Sequence, residues 1–261
     1  MSYLFELIGE WLYAFFPFFL RVLPYWFGAW LMTLLVLLFS FKALKPRSRS
    51  RVLKFDEAMN HWARALRYKL RQADAALEPN TPPSERHLLT WFFRFWTNFA
   101  SAPSLSVIAF AVPLWAYHSL DYGLTPPFIP MPFQASEKWL LPAFCYFGSM
   151  GLSYILKRVF KRLRPVRHKG AFGHDLQDGS FPSGHSLTAF CFWMAMIVSV
   201  SYQSQSVIAT IAFAAVVILI VDLTGLSRIY MAVHWPSDVA GGYVIGLVWT
   251  IVFLLTCSHL F

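Results

Sequence analysis

Long uncharged stretches alternate with short polar ones along this chain. A helix that crosses a bilayer needs about 20 predominantly apolar residues. Residues 22–41, 102–120, 139–156, 186–202, 207–225 and 239–255 come close to or reach that length, and Asp222 is the one Asp, Glu, Lys or Arg inside them. The pattern predicts an all-α fold: a polytopic membrane protein built as a six-transmembrane-helix bundle, one domain over residues 1–261 with no internal repeat. Residues 1–21 read as an N-terminal interfacial extension or a lengthening of the first span. They lack the basic start of a signal peptide and carry Glu6 and Glu10.

Residues 42–95 form a surface segment. It opens on Lys42, Lys45, Arg47, Arg49, Arg51 and Lys54. Phe55, Met59, Trp62, Leu66, Leu70, Ala73 and Leu77 then recur at three- and four-residue steps, with Arg64, Arg67 and Arg71 off the stripe. Such a pattern predicts an amphipathic helix on the membrane surface between spans one and two, stopped by the prolines from Pro79 to Pro83.

Composition agrees with the spans: 57% of residues are hydrophobic and 13% charged, against about a quarter charged in soluble domains. Disorder and disulfide-stapled secreted modules are excluded. Cys145, Cys191 and Cys257 sit inside apolar runs without metal or disulfide spacing and read as packing residues. The net charge of +9 points to an anionic partner, and in so apolar a chain a lipid headgroup or phosphorylated lipid outranks nucleic acid.

Polar residues concentrate after spans three and five, two loops that emerge on one membrane face. Lys157 and Arg164 precede Pro165; on a continuous helix they would share one face about 10 Å apart. Two such cations can clamp a phosphate, while Arg158, Lys161 and Arg162 read as a basic collar on anionic lipid. Pro182-Ser183-Gly184-His185 stands where span four begins. Ser183 is a candidate N-cap, and Gly184 leaves free amides open to an anion. His234 and Asp238 flank Pro236 at the start of span six, where the carboxylate can fix the tautomer of the imidazole. Arg228 could add a third phosphate contact. Asp222 either pairs locally or tunes Arg228. Residues 166–180, with Arg167, His168, Lys169, His174, Asp175 and Asp178, are the expected place for headgroup selection.

These strings are similar, spacing for spacing, to the three-part signature of the type 2 phosphatidic acid phosphatase superfamily, which also includes the vanadium haloperoxidases. Lys157 to Pro165, Pro182 to His185 and Ser227 to Asp238 carry the resemblance. It implies a bacterial membrane enzyme that uses no metal or other cofactor and acts through a phosphohistidine on a phosphorylated lipid. By that resemblance His234 is the nucleophile, Asp238 orients it and His185 is the general acid. Lys157, Arg164, Arg228, Ser183 and the Gly184 amide hold the phosphoryl oxygens.

A lipid-to-lipid phosphotransferase and a non-catalytic lipid-binding protein are the alternatives. Location in the inner (plasma) membrane follows, with the active site facing the periplasm or exterior as the resemblance implies. The positive-inside rule argues the other way: of 22 Lys and Arg, only Arg21 and Lys138 fall near the opposite face. Oligomeric state and lipid identity stay open.

Overall fold

The computed structural model describes residues 2–43, 46–77, 88–121, 137–165, 179–204, 206–257 and 260. The proposed headgroup-selecting residues from Arg167 to Asp178, Lys45 and the prolines expected to end the surface helix lie outside them. Eight α-helices make up the described chain: α1 (Ser2–Ala43), α2 (Pro46–Leu77), α3 (Leu88–Phe99), α4 (Ala102–Asp121), α5 (Leu141–Phe160), α6 (Gly184–Gln203), α7 (Val207–Tyr230) and α8 (Pro236–Cys257), with a 3-10 turn, Glu137–Leu140, leading into α5. The protein is an all-α membrane protein.

By length and composition five helices can cross a membrane: Phe16–Ser40, Lys138–Phe160, Gly184–Tyr202, Val207–Tyr230 and Pro236–Cys257. A sixth crossing is reached when α3 and the first part of α4, bent by 52° at their junction, count as one span. The expected straight span at 102–120 is therefore half of a bent element. Pro103 explains the break: it has no N–H to return to Phe99 and fits the first turn of a new helix. Ser104 Oγ instead donates to the Asn98 carbonyl at 2.8 Å across the corner.

α1 is 42 residues long, about 63 Å at 1.5 Å per residue. That is twice the ~30 Å hydrocarbon core, so α1 runs well past one bilayer thickness.

α6 is the central helix, packed against α5, α7 and α8, with α1 outside on α8 and α5. Leu152, Leu156, Leu187, Cys191, Ile245, Trp249 and Phe253 are fully buried in the shared core. Cys145 and Cys257 are buried free thiols as well, which fits their reading as packing residues. α5 and α8 meet closely because Gly148 leaves room for the Trp249 ring, whose Nε1 donates to the Cys145 carbonyl at 2.7 Å. α7 is the least buried of the spans and presents Ile208, Ile211, Ile218 and Leu219 outward.

α2 docks in a way the hydrophobic stripe does not suggest. Among the described side chains of α2 the buried ones are Asp56, Asn60 and Ala63, one polar and small face at helical spacing. Phe55 (58% exposed) and Trp62 (60%) stay largely exposed, Phe55 beside Pro236 and Ser237 of α8, while Met59 and Leu66 are half-buried. Its polar and small face, through Asp56, Asn60 and Ala63, is the part most deeply buried against the protein.

Candidate active site

α5 ends at Phe160, earlier than the sequence suggests. Lys161 takes a left-handed backbone (φ 45°), and its N–H caps the Lys157 carbonyl at 3.0 Å. Lys157 therefore stands in the last helical turn while Arg164 lies in a non-helical strip that follows; the expectation of one helix face fails. The strip is fixed by its neighbours. Ser180 N–H donates to the Arg162 carbonyl at 2.7 Å, Ser180 Oγ to the Leu163 carbonyl at 3.1 Å, and Trp235 Nε1 to that same carbonyl at 2.9 Å.

Ser183 is the N-cap of α6, accepting a long hydrogen bond from the Ser186 amide (3.5 Å) and pairing with the Ser186 hydroxyl at 2.9 Å. Its own N–H donates to the Asp238 carbonyl at 3.0 Å, which locks the second string to the third. The Gly184 position faces Lys157: a Cβ there would stand 3.7 Å from the ammonium and 3.2 Å from Ser153 Oγ. His185 occupies the first turn of α6 and interacts electrostatically with Arg228, His234, Lys157 and Arg164. The three strings, scattered over 82 residues of sequence, meet in one place.

His234 lies between α7 and α8 and is only 3% exposed. Its Nδ1 is 2.8 Å from the Ser180 carbonyl and 3.6 Å from Asp238 Oδ2. A carbonyl can only accept, so Nδ1 carries the proton and the Nε2 lone pair is left for chemistry. Sequence reasoning gave the orienting contact to Asp238; the hydrogen-bonding partner is the Ser180 backbone. Asp238 is otherwise engaged. Oδ2 accepts the Trp235 amide at 2.9 Å, closing the first turn of α8 around Pro236, and Oδ1 accepts from Arg162 at 2.7 Å.

Nε2 of His234 faces Arg164 Nη1 at 3.4 Å, and that guanidinium also donates to the Val233 carbonyl at 3.1 Å. Arg228, in the last turn of α7, is 8% exposed, and its Nε is among the few buried side-chain donors without a hydrogen-bond partner in the described residues. Burial holds the His234 imidazole well below its ordinary pKa, and Arg228, Arg164 and Lys157 push the same way, against the Ser180 carbonyl. The ring is consequently neutral at neutral pH. Asp222 is exposed on α7, with Tyr243 as an electrostatic neighbour.

Residues 138–259 match the PAP2 superfamily. Phosphatidylglycerophosphatase B of Bacillus subtilis (strain 168) is 32% identical over 104 residues, which is 37% of this chain and 46% of that relative. Decaprenylphosphoryl-5-phosphoribose phosphatase of Mycobacterium tuberculosis is 30% identical over 121 residues, 45% of this chain and 60% of the relative. The matched segments thus span about half the length of these relatives. A crystal structure of a transmembrane PAP2 type phosphatidylglycerolphosphate phosphatase from Bacillus subtilis shares the fold at a TM-score of 0.53, with 18% identity over 78% of this chain and 92% of that one. With these apolar spans the chain is a multi-pass membrane protein.

Two residues of this site do not follow from the sequence reading. Arg162, read as collar, instead bridges two carboxylates, donating to Asp238 Oδ1 and, at 2.6 Å, to Asp56 Oδ2. Asp56 itself, on α2, had no signal beyond being an acid within the Asp56, Asn60, Ala63 spacing. Arg158 and Lys161 are exposed, as a collar requires, with Arg158 folded over the Tyr154 ring at 3.4 Å. Among the described residues, no three His, Cys, Asp or Glu side chains gather to hold a metal ion.

Proposed function

We propose that this protein is an integral-membrane lipid phosphatase that hydrolyses a phosphomonoester or diphosphate on a lipid through a phosphohistidine at His234, without a metal ion. The observation that carries this reading is the His234 imidazole: buried, neutral, with Nδ1 committed to the Ser180 carbonyl and Nε2 beside Arg164. A phosphoryl group held by Arg164, Arg228 and Lys157 would put its phosphorus next to that lone pair. Phosphoryl transfer is chiefly positioning and charge stabilisation, and this arrangement supplies both.

In the first step the Nε2 lone pair attacks phosphorus and the P–O bond to the lipid breaks. The departing oxygen keeps the bonding pair and takes a proton from His185. Arg164, Arg228, Lys157 and the amides at Gly184 stabilise the charge on the transferring oxygens, with Ser183 shaping the turn that presents them. In the second step water attacks phosphorus while His185 takes its proton. The N–P bond breaks, the pair returns to Nε2, and phosphate leaves.

Both relatives named above are phosphatases by name, one of a phosphatidylglycerophosphate and one of a decaprenyl-linked phosphate. Phosphatidic acid, phosphatidylglycerol phosphate, a polyprenyl diphosphate and a lipid A phosphate are the substrates to compare. The site is proposed to face the periplasm or exterior. Phosphate release from that lipid panel in detergent, with and without excess EDTA, tests the proposal. At least one lipid should be hydrolysed in EDTA, and His234→Ala should abolish the reaction; activity lost in EDTA and restored by a divalent cation would overturn the mechanism.

A further inference from the structure

The amphipathic helix α2 reaches the reaction centre through a side chain that a surface helix has no other reason to bury. Asp56 is fully buried. Its carboxylate accepts from the Ser237 amide at 2.9 Å, from the Ser237 hydroxyl, and from Arg162 Nη2 at 2.6 Å. Ser237 is the residue before Asp238, and the other arm of the Arg162 fork holds both Ser237 Oγ (2.6 Å) and Asp238 Oδ1 (2.7 Å). One turn pair further along α2, Arg64 Nη2 donates to the Pro165 carbonyl at 2.8 Å, next to Arg164. This helix is therefore latched to both sides of His234: to the first turn of α8 and to the strip that carries Arg164.

A lone buried carboxylate is costly unless it is paired and hydrogen-bonded. Here the pairing is made with groups that touch the catalytic constellation rather than with a remote partner. Small displacements of a nucleophile matter: a shift of about 1 Å can cost about a hundred-fold in rate.

We propose that Asp56 is a positioning residue for the His234 site, acting through Arg162 and Ser237 to hold the start of α8 against the imidazole. This rests on the phosphatase reading for its kinetic test but not for its spectroscopic one. Among the described residues, the charged and titratable groups around the imidazole are Lys157 on α5, Arg162 and Arg164 on the strip, His185 on α6, Arg228 on α7, Asp238 on α8 and, behind Arg162, Asp56 on α2. Arg162 neutralises Asp238, whose other oxygen is 3.6 Å from Nδ1. Removing the guanidinium leaves that carboxylate uncompensated beside the ring and favours the imidazolium.

The test uses the full-length protein in detergent, dioctanoyl phosphatidic acid as probe, and histidine labelled for NMR. Asp56→Asn should lower kcat roughly 10- to 100-fold with KM within about two-fold, measured below its thermal midpoint, which loss of the buried ion pair should lower. Glu57→Gln, on the exposed face of the same helix, should behave as the parent protein. Arg162→Gln should move the His234 titration to higher pH. Parent kinetics in Asp56→Asn, or an unmoved His234 titration in Arg162→Gln, overturns the inference. If Asp56→Asn does not fold, the same kinetic split is read on Ser237→Ala, which removes one hydroxyl and keeps both charges. If the parent protein hydrolyses none of the lipid panel, the phosphatase reading falls and the His234 titration still decides this one.

Discussion

At His234, burial is the larger of the causes that keep the imidazole unprotonated, and the surrounding cations add to it. The folded-state pKa lies below the ordinary value of 6.5. An unfolded chain would therefore take up the proton first as pH falls, so the stability tied to this ring is full above about 6.5 and is lost on acidification. The His234 resonance, identified by its absence in His234→Ala, should accordingly remain that of a neutral imidazole at pH 6.5. A midpoint at or above that value would contradict the buried, cation-flanked setting. Arg228 offers a second test at this scale. Its Nε is a buried donor with no hydrogen-bond partner among the described residues, so Arg228→Ala should lower kcat/KM roughly 100- to 1000-fold, the usual cost of one transition-state donor. Arg228→Lys should recover little, since a point charge lacks the planar fork. His185, His234, Lys157, Arg164 and Arg228 were legible in the sequence because each sits in a short string whose chemistry is local. Asp56 was not, because its meaning depends on Arg162 and Ser237, 106 and 181 residues away.

Helix existence followed from apolar length, and helix ends followed from contacts. α5 stops at Phe160 because Lys161 turns left-handed and the strip beyond it is bonded to Ser180 and Trp235; no residue before Pro165 announces that stop. The α3–α4 corner, by contrast, is written in Pro103. The face on which α2 docks could not be read from its hydrophobicity, because in a membrane protein the apolar stripe has lipid as well as protein to bury itself against. Close helix packing makes a prediction of its own. A Cβ at Gly148 would come within 2.2 Å of the Trp249 ring, which is fully buried and tied to Cys145. Gly148→Ala should therefore destabilise the α5–α8 contact by about 1–3 kcal/mol, as overpacking does, seen as a lower thermal midpoint in detergent.

Among the described residues of α5 to α7 and the turn before α5, the basic charge is one-sided. Lys138 stacks at 4.0 Å over Tyr202, at the end of α5 and α6 away from His185, while Lys157, Arg158, Lys161, Arg162, Arg164 and Arg228 lie at the other end. If the site faces outward, reporter fusions at Gln203 and at the C-terminus should both be cytoplasmic, even though the positive-inside rule alone would give the reverse. Reporters on the outer side would place the site in the cytoplasm. The sequence by itself determined the all-α membrane architecture and the three chemical strings, since apolar run length and residue order are properties of the chain alone. Tertiary structure decided what those strings touch. It gave the Nδ1 proton of His234 to the Ser180 carbonyl, turned Arg162 from a collar residue into a bridge, and brought Asp56 in from a surface helix. A hydrogen bond between distant residues exists only once packing has set the distance, and no local pattern encodes it.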